Sequence, residues 1–265
     1  MAGHGDHPVR CGTFEYMIAM KHSLIAKYRK DEKRLDKILA ACDASQPPLQ
    51  AARALLYALL QPDQYAMRYR YEHCLRACGW AEKIARGENW DPEPLMLAAL
   101  LHDAGYPFCK TMEEWPAHAA VSAHIAERFL SVIHYPPSLS SVICRGIAIH
   151  DIWMDVPKDA TAFELSVRDA DDLDRFDALR LCLISHGHIR EKGAAEALQI
   201  CTQRLQTLDA WAMRPCGTKT AETLWQNTLS MHRETYLRLQ QQMQRTLDME
   251  NTLFPQKEGD APCCD

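Results

Sequence analysis

No apolar run in this 265-residue chain approaches the length of a membrane span. The longest, Leu95 to Leu101, falls far short of the ~20 residues a spanning helix needs. No apolar leader stands at the N-terminus either, so a cytoplasmic protein is expected. Positive charge is not in excess: 30 Lys and Arg face 35 Asp and Glu, a formal net charge of -5. Nucleic acid binding driven by bulk charge is therefore not expected. Hairpin signals such as Asn-Gly and Asp-Gly are absent, and alternating strand patterns are scarce. With 11 glycines, the chain forms no Gly-rich phosphate loop of the GxGxxG or GxxxxGK type. Cysteine is plentiful, at 11 residues, but no CxxC pair exists, which excludes a zinc ribbon or a thioredoxin motif. Most cysteines sit singly in apolar segments, where a thiol behaves as a small hydrophobe, and free thiols in such number suit a reducing compartment.

What the sequence does contain is helical periodicity. Residues 14–42 read as a charged amphipathic helix, broken by Pro47-Pro48. Further helices are expected at 49–60, 72–86, from Asp91-Pro92 through Leu101, and at about 115–133, 138–150, 161–178, 192–213 and 218–247. The fold class is all-α: a helical bundle over 66–250, an N-terminal helical extension over 1–65 and a disordered tail over 251–265.

The 12 histidines divide by helical face. At about 100° per residue, His73 shares a face with Ala77, Trp80 and Ile84, so it points inward. His102 and Asp103 close a segment apolar all round, which must be buried, and a buried carboxylate needs a partner or a metal. His118 lies with Val121, Ile125 and Phe129; His124 falls on the opposite, polar face. His150 shares its face with Ile143 and Ile147. In the acidic stretch Arg168 to Arg175, the helical wheel lets either Asp169 or Asp171 be the inward carboxylate. Each inward histidine alone reads as a satisfied core residue. Together with the acidic residues, one dinuclear site satisfies all of them, and the imidazole and carboxylate set suits divalent Fe, Mn, Co, Ni or Zn.

The order His73, His102-Asp103 and a distal Ala170-Asp171 resembles the HD-domain superfamily of metal-dependent phosphohydrolases. His118-Ala119-Ala120-Val121 and Ile147-Ala148-Ile149-His150 look like the extra histidine motifs of its dinuclear members. The resemblance covers about residues 69–180, with weaker similarity to small bacterial HD hydrolases continuing to about 243. It implies an HD-type helical bundle with His73, His102, Asp103 and Asp171 as metal ligands, His118 and His150 completing a second metal, and Asp103 as the bridging, catalytic carboxylate. Many two-metal members carry a lysine where this chain has Tyr106. The string Gly105-Tyr106-Pro107 is not read as the motif of cyclic-di-GMP phosphodiesterases, whose Gly-Tyr-Pro lies well downstream.

The activity so implied is hydrolysis of a phosphoester or phosphoanhydride, with a nucleotide or related phosphorylated metabolite as the expected substrate. Two divalent ions about 3.5–4 Å apart lower the pKa of water towards about 7 and hold a phosphoryl oxygen. Arg168 and Arg175, each about one turn from Asp171, together with Lys110 and Tyr106, are the expected substrate contacts, and Phe108 and Trp115 are candidate stacking residues. His186 and His188 read as surface residues, with a general acid as the alternative. Two rival readings use the same residues: a mixed-valent di-iron oxygenase and a non-catalytic nucleotide sensor. A homo-oligomer is compatible with all three, and no membrane or nucleic-acid partner is expected.

Overall fold

The computed structural model describes residues 23–24, 27, 29–152, 156–189 and 191–254. Every regular element among them is helical. The described residues up to Arg175, with Pro215–Trp225, form one compact unit; Phe176–Arg214 and the described residues from Gln226 onward form another.

In the larger unit, α1 (Arg29–Ala40) and α2 (Pro48–Leu60) precede a short turn and a π-helical stretch, Met67–Tyr71. This stretch leads directly into α3 (Glu72–Gly87). Next come α4 (Pro92–Leu101), 3-10 turns at Tyr106–Phe108 and Trp115–Ala117, α5 (His118–Val132), α6 (Pro137–Ile149) and α7 (Ala162–Arg175). At the start of α4, Asp91 caps the helix by accepting from the Glu93 N–H at 3.1 Å, and Pro92 occupies the first turn, where its missing N–H costs nothing. This helix is apolar on all sides because it is surrounded: α2, α3, α5, α6 and α7 all pack on it. The buried face of α3 carries Cys74, Ala77, Cys78 and Ala81, small side chains that let α4 come close.

Two glycines permit the approaches that shape the site. A Cβ on Gly105 would meet the His118 carbonyl and stand 2.7 Å from the Ser122 nitrogen. Only glycine lets the turn after His102-Asp103 press against the start of α5, where the Gly105 N–H donates to Ser122 Oγ at 2.8 Å. A Cβ on Gly146 would stand 2.7 Å from Val167 Cγ2, so α6 and α7 touch through glycine.

The second unit holds α8 (Ala178–Ile189), α9 (Ala194–Ala212) and most of α10 (Lys219–Leu253), whose first residues belong to the larger unit. Phe176, Trp211, His232 and Tyr236 form its aromatic centre. A separate helix at α8 departs from the expected single helix 161–178; the chain turns at Phe176 and Asp177 and begins again. The last helix continues to Leu253, past the expected 247, and the remainder of the tail from 255 lies outside the described residues, as do residues 1–22. No helix among the described residues is long and apolar enough to cross a membrane.

Candidate metal centre

Four helices deliver their ends to one point. His73 comes from the start of α3, His102 and Asp103 from the end of α4, His118 from the start of α5 and His150 from the end of α6; Asp171 arrives from the middle of α7. All six residues are buried.

The imidazoles are oriented from behind. His102 Nδ1 lies 2.6 Å from the Ala99 carbonyl, His118 Nδ1 2.6 Å from the Trp115 carbonyl and His150 Nδ1 2.7 Å from the Ile147 carbonyl. In each case a carbonyl three residues earlier can only accept, so Nδ1 carries the proton and donates. His73 Nδ1 donates to Asp174 Oδ2 at 2.6 Å, and Asp174 is itself held by Arg76 through Nε at 2.7 Å and a terminal nitrogen at 3.2 Å. With every Nδ1 engaged outward, every Nε2 faces inward. His73 and His102 bring their Nε2 atoms to 3.1 Å, and His118 and His150 bring theirs to 3.2 Å. Outer oxygens that fix the tautomer and leave a convergent Nε2 are the usual support of metal-binding histidines.

The carboxylates complete two groups. Asp171 Oδ1 stands 2.9 Å from His73 Nε2 and 3.5 Å from His102 Nε2. Asp103 Oδ1 stands 3.5 Å from the Nε2 atoms of both His102 and His118 and 3.8 Å from that of His150, while its Oδ2 turns towards His73. Thus His73, His102 and Asp171 form one cluster, and Asp103, His118 and His150 form its neighbour, with the ligand atoms of each within 4.8 Å of one another. Asp171 Oδ1 is buried without a hydrogen-bond partner. An orphaned carboxylate oxygen facing two imidazole nitrogens is costly unless a cation sits among them. The residues present therefore fit divalent metal ions.

In the absence of an ion the carboxylates and imidazoles compensate one another. Burial opposes protonation of His73 and His102, but Asp171 and Asp174 outweigh it at His73, and Asp103 and Asp171 at His102, so both are raised. Burial disfavours charge on Asp103, but His102, Arg70 and His118 outweigh it and hold the carboxyl below its ordinary range. Burial likewise opposes ionisation of Asp171, and Arg175, His102 and His73 overcome it. Burial pushes His150 down to about 4, helped by His102 and His118, so it stays a neutral imidazole with a lone pair to give.

Residues 70–179 match the family model described as HD domain. This stretch of the chain is an HD domain. HD domains are in general metal-dependent hydrolases of helical fold, and the His102-Asp103 pair stands at the junction of both clusters. No curated protein and no solved structure matches the chain.

Within the HD domain, the structure distinguishes the two aspartates that the wheel leaves open. Asp169 Oδ2 accepts from the Gly217 N–H at 2.7 Å, away from the clusters, and Asp171 faces them. His124 lies outside the centre, near Glu127. Of the expected substrate contacts, Tyr106 stacks on His118, with ring centroids 4.2 Å apart and planes 24° apart. Burial pushes its phenol up, so the hydroxyl keeps its proton. Arg175 reaches Asp171 Oδ2 at 3.4 Å. Arg168 is buried, and its guanidinium donates to the carbonyls of Ile152 and Pro215. Lys110 pairs with Asp31 of α1. Phe108 is buried in the core, and Trp115 contributes its carbonyl to His118. The side chains of His186 and His188 lie outside the described ones.

Three participants escape a reading of faces alone. Arg70 donates to Asp103 Oδ2 at 2.9 Å and lies 3.6 Å from the centroid of the Tyr106 ring. Its signal in the sequence is its position, three residues before His73 and so one turn away. Asp174 carries an analogous signal, three residues after Asp171. Cys74, taken with the other cysteines as a core hydrophobe, places its sulfur within 4.8 Å of ligand atoms of His102 and Asp103. Burial raises its pKa, so the thiol stays protonated.

Proposed function

We propose that this HD domain hydrolyses a phosphoester or phosphoanhydride bond of a nucleotide or a related small phosphorylated metabolite. The observation that carries the reading is the pair of three-residue clusters meeting at Asp103, with part-exposed guanidinium groups on their carboxylates. His73, His102 and Asp171 would hold one divalent ion and His118 and His150 the other, with Asp103 between them. Such ions supply hydroxide at neutral pH by lowering the pKa of water towards about 7, and they offset charge on phosphoryl oxygens.

The protein's own groups do the remaining work. Nδ1 hydrogen bonds fix each imidazole before a metal arrives, so little reorganisation is needed. Asp103 stays ionised and is oriented by Arg70. The burial of all six ligands excludes bulk water and strengthens every charge interaction in the centre. Charge on the leaving and transferred oxygens needs cations, and Arg70 and Arg175 are the ones that contact the centre's carboxylates. The free cysteines suit a reducing compartment, and we assign the chain to the cytoplasm.

Metal analysis coupled to a screen of nucleoside mono-, di- and triphosphates and dinucleotides tests the reading. Phosphate release or ester cleavage in proportion to metal content, without oxygen uptake, is expected. Fully metallated protein that cleaves none of these compounds would overturn it. Oxygen consumption by an iron-loaded form would replace it with the oxygenase reading.

A further inference from the structure

Of the cationic side chains in the segments next to the metal-binding residues, three are committed elsewhere. Arg76 is held by both oxygens of Asp174, Arg168 is buried on two carbonyls, and Lys110 is paired with Asp31. Arg70 and Arg175 differ. Each is anchored at one end to a buried carboxylate of the centre, Arg70 to Asp103 and Arg175 to Asp171, and each side chain remains part-exposed, at 33% and 45%. Every hydrogen bond and ion pair of Arg70 uses one terminal nitrogen, and so does every one of Arg175, which also reaches Asp151 at 3.7 Å and Asp172 at 3.9 Å. Among the described residues, their other N–H donors have no protein acceptor. The Arg70 guanidinium lies against the Tyr106 ring, 3.6 Å from its centroid.

We propose that Arg70 and Arg175 form a two-guanidinium clamp at the rim of the centre that grips a terminal phosphate group. The inference rests on the phosphohydrolase reading and narrows it to phosphate monoesters and terminal phosphates. A guanidinium presents paired N–H donors that match phosphate oxygens, and two of them match a dianion. A terminal phosphate carries about -1.5 to -2 charge at neutral pH and offers three unesterified oxygens. An internal diester carries a single charge on two such oxygens, so it leaves one guanidinium with little to bind. The anchoring explains how the clamp is aimed: the carboxylates that serve the metal sites also hold one nitrogen of each arginine. The stack of Arg70 on Tyr106, and of Tyr106 on His118, fixes the ring between clamp and centre.

Calorimetric titration of the metal-loaded protein with inorganic phosphate, a nucleoside monophosphate and a dinucleoside monophosphate tests this without turnover. Metal content is measured on the same samples. The wild type is expected to bind phosphate and the monoester at least about 10-fold more tightly than the diester. Arg175→Gln should weaken phosphate binding about 10-fold, Arg70→Gln by a similar or larger factor and the double variant further, all with metal content unchanged. Arg70→Lys, which keeps the charge and loses the paired donors, should fall between wild type and Arg70→Gln. Unchanged phosphate binding in the double variant, no phosphate binding by the wild type, or equal affinity for the diester overturns the clamp. So does loss of metal from Arg175→Gln, which would make that arginine a structural support. Should phosphate bind as described and no phosphorylated compound be cleaved, the clamp stands and the hydrolase reading falls. Should cleavage proceed with phosphate binding unaffected in the variants, the reverse holds.

Discussion

In each of the four inward histidines one ring nitrogen, Nδ1, is already engaged behind the site. Nδ1 donates to a carbonyl in His102, His118 and His150 and to Asp174 in His73, so the Nε2 atoms are the ones that converge. Removing one ligand therefore removes a direct metal contact. His102→Ala is expected to lose the ion held with His73 and Asp171, and Asp103→Ala to weaken both sites, with elemental analysis as the measurement. His124→Ala, outside the centre, should keep the wild-type metal content. A fifth buried imidazole tells a different story: His232 is buried in the second unit and donates through Nε2 to the Phe176 carbonyl at 2.6 Å. Burial lowers its pKa, outweighing the hydrogen bond. The sign follows from proton uptake. The unfolded chain protonates this histidine near its ordinary value of about 6.5, while the folded chain resists until lower pH. Stability is thus full above about 6.5 and declines as pH falls from there towards the lowered folded value. His232→Gln, which keeps a donor and cannot titrate, should flatten that part of the stability curve, read by denaturant melts between about pH 5 and 7.

At the level of elements, the site depends on a close approach between a turn and a helix. Gly105 presses on α5 where His118 begins, and any side chain there meets the His118 carbonyl and the Ser122 backbone. Gly105→Ala should cost about 1–3 kcal/mol through overpacking and should also weaken metal binding, because the strain falls on the residues that carry Asp103 and His118. Thermal melts and metal titration of the variant check both effects. The elements also explain what the sequence disclosed. Helices α3, α5 and α6 each have a solvent side, so faces could be told apart and His73, His118 and His150 read as inward. In α7, by contrast, Ser166 to Asp174 are all buried, so a helical wheel had no wet face with which to separate Asp169 from Asp171. Arg70 sits in the π-helical stretch Met67–Tyr71, where about 100° per residue no longer holds and a wheel misplaces it. Arg168 shows the opposite failure: its backbone position lies one turn from Asp171, but a long side chain can leave its own face, and this one runs to Ile152 and Pro215. Helix α8 is not legible in the sequence because Leu179, Leu181 and Leu183 alternate and Gly187 interrupts the run, a pattern without a clear helical period.

Over the whole molecule, the metal centre is also a joint. Its six ligands come from five helices of the larger unit or their ends, and all are buried, so an ion held there ties those helices together. Without an ion, the same convergence is a liability: paired Nε2 atoms lie about 3 Å apart, and the Asp171 oxygen has no hydrogen-bond partner. Folding and metal binding must then be linked, since the unfolded chain scatters the ligands and binds metal far more weakly. An ion present at about 1,000 times its dissociation constant stabilises the folded state by ~4 kcal/mol. Treatment with a strong chelator should accordingly lower the thermal midpoint of the full chain, by several degrees or more, and restoring a divalent ion should return it. The rise should be concentration-dependent and should vanish in Asp103→Ala, whose remaining ligands no longer join the two clusters. A midpoint indifferent to chelator in protein shown to contain metal would mean that the helices are held by their apolar packing alone, with α4 and its ring of neighbours supplying all the cohesion. The two outcomes separate a centre that merely sits in the fold from one that helps to close it.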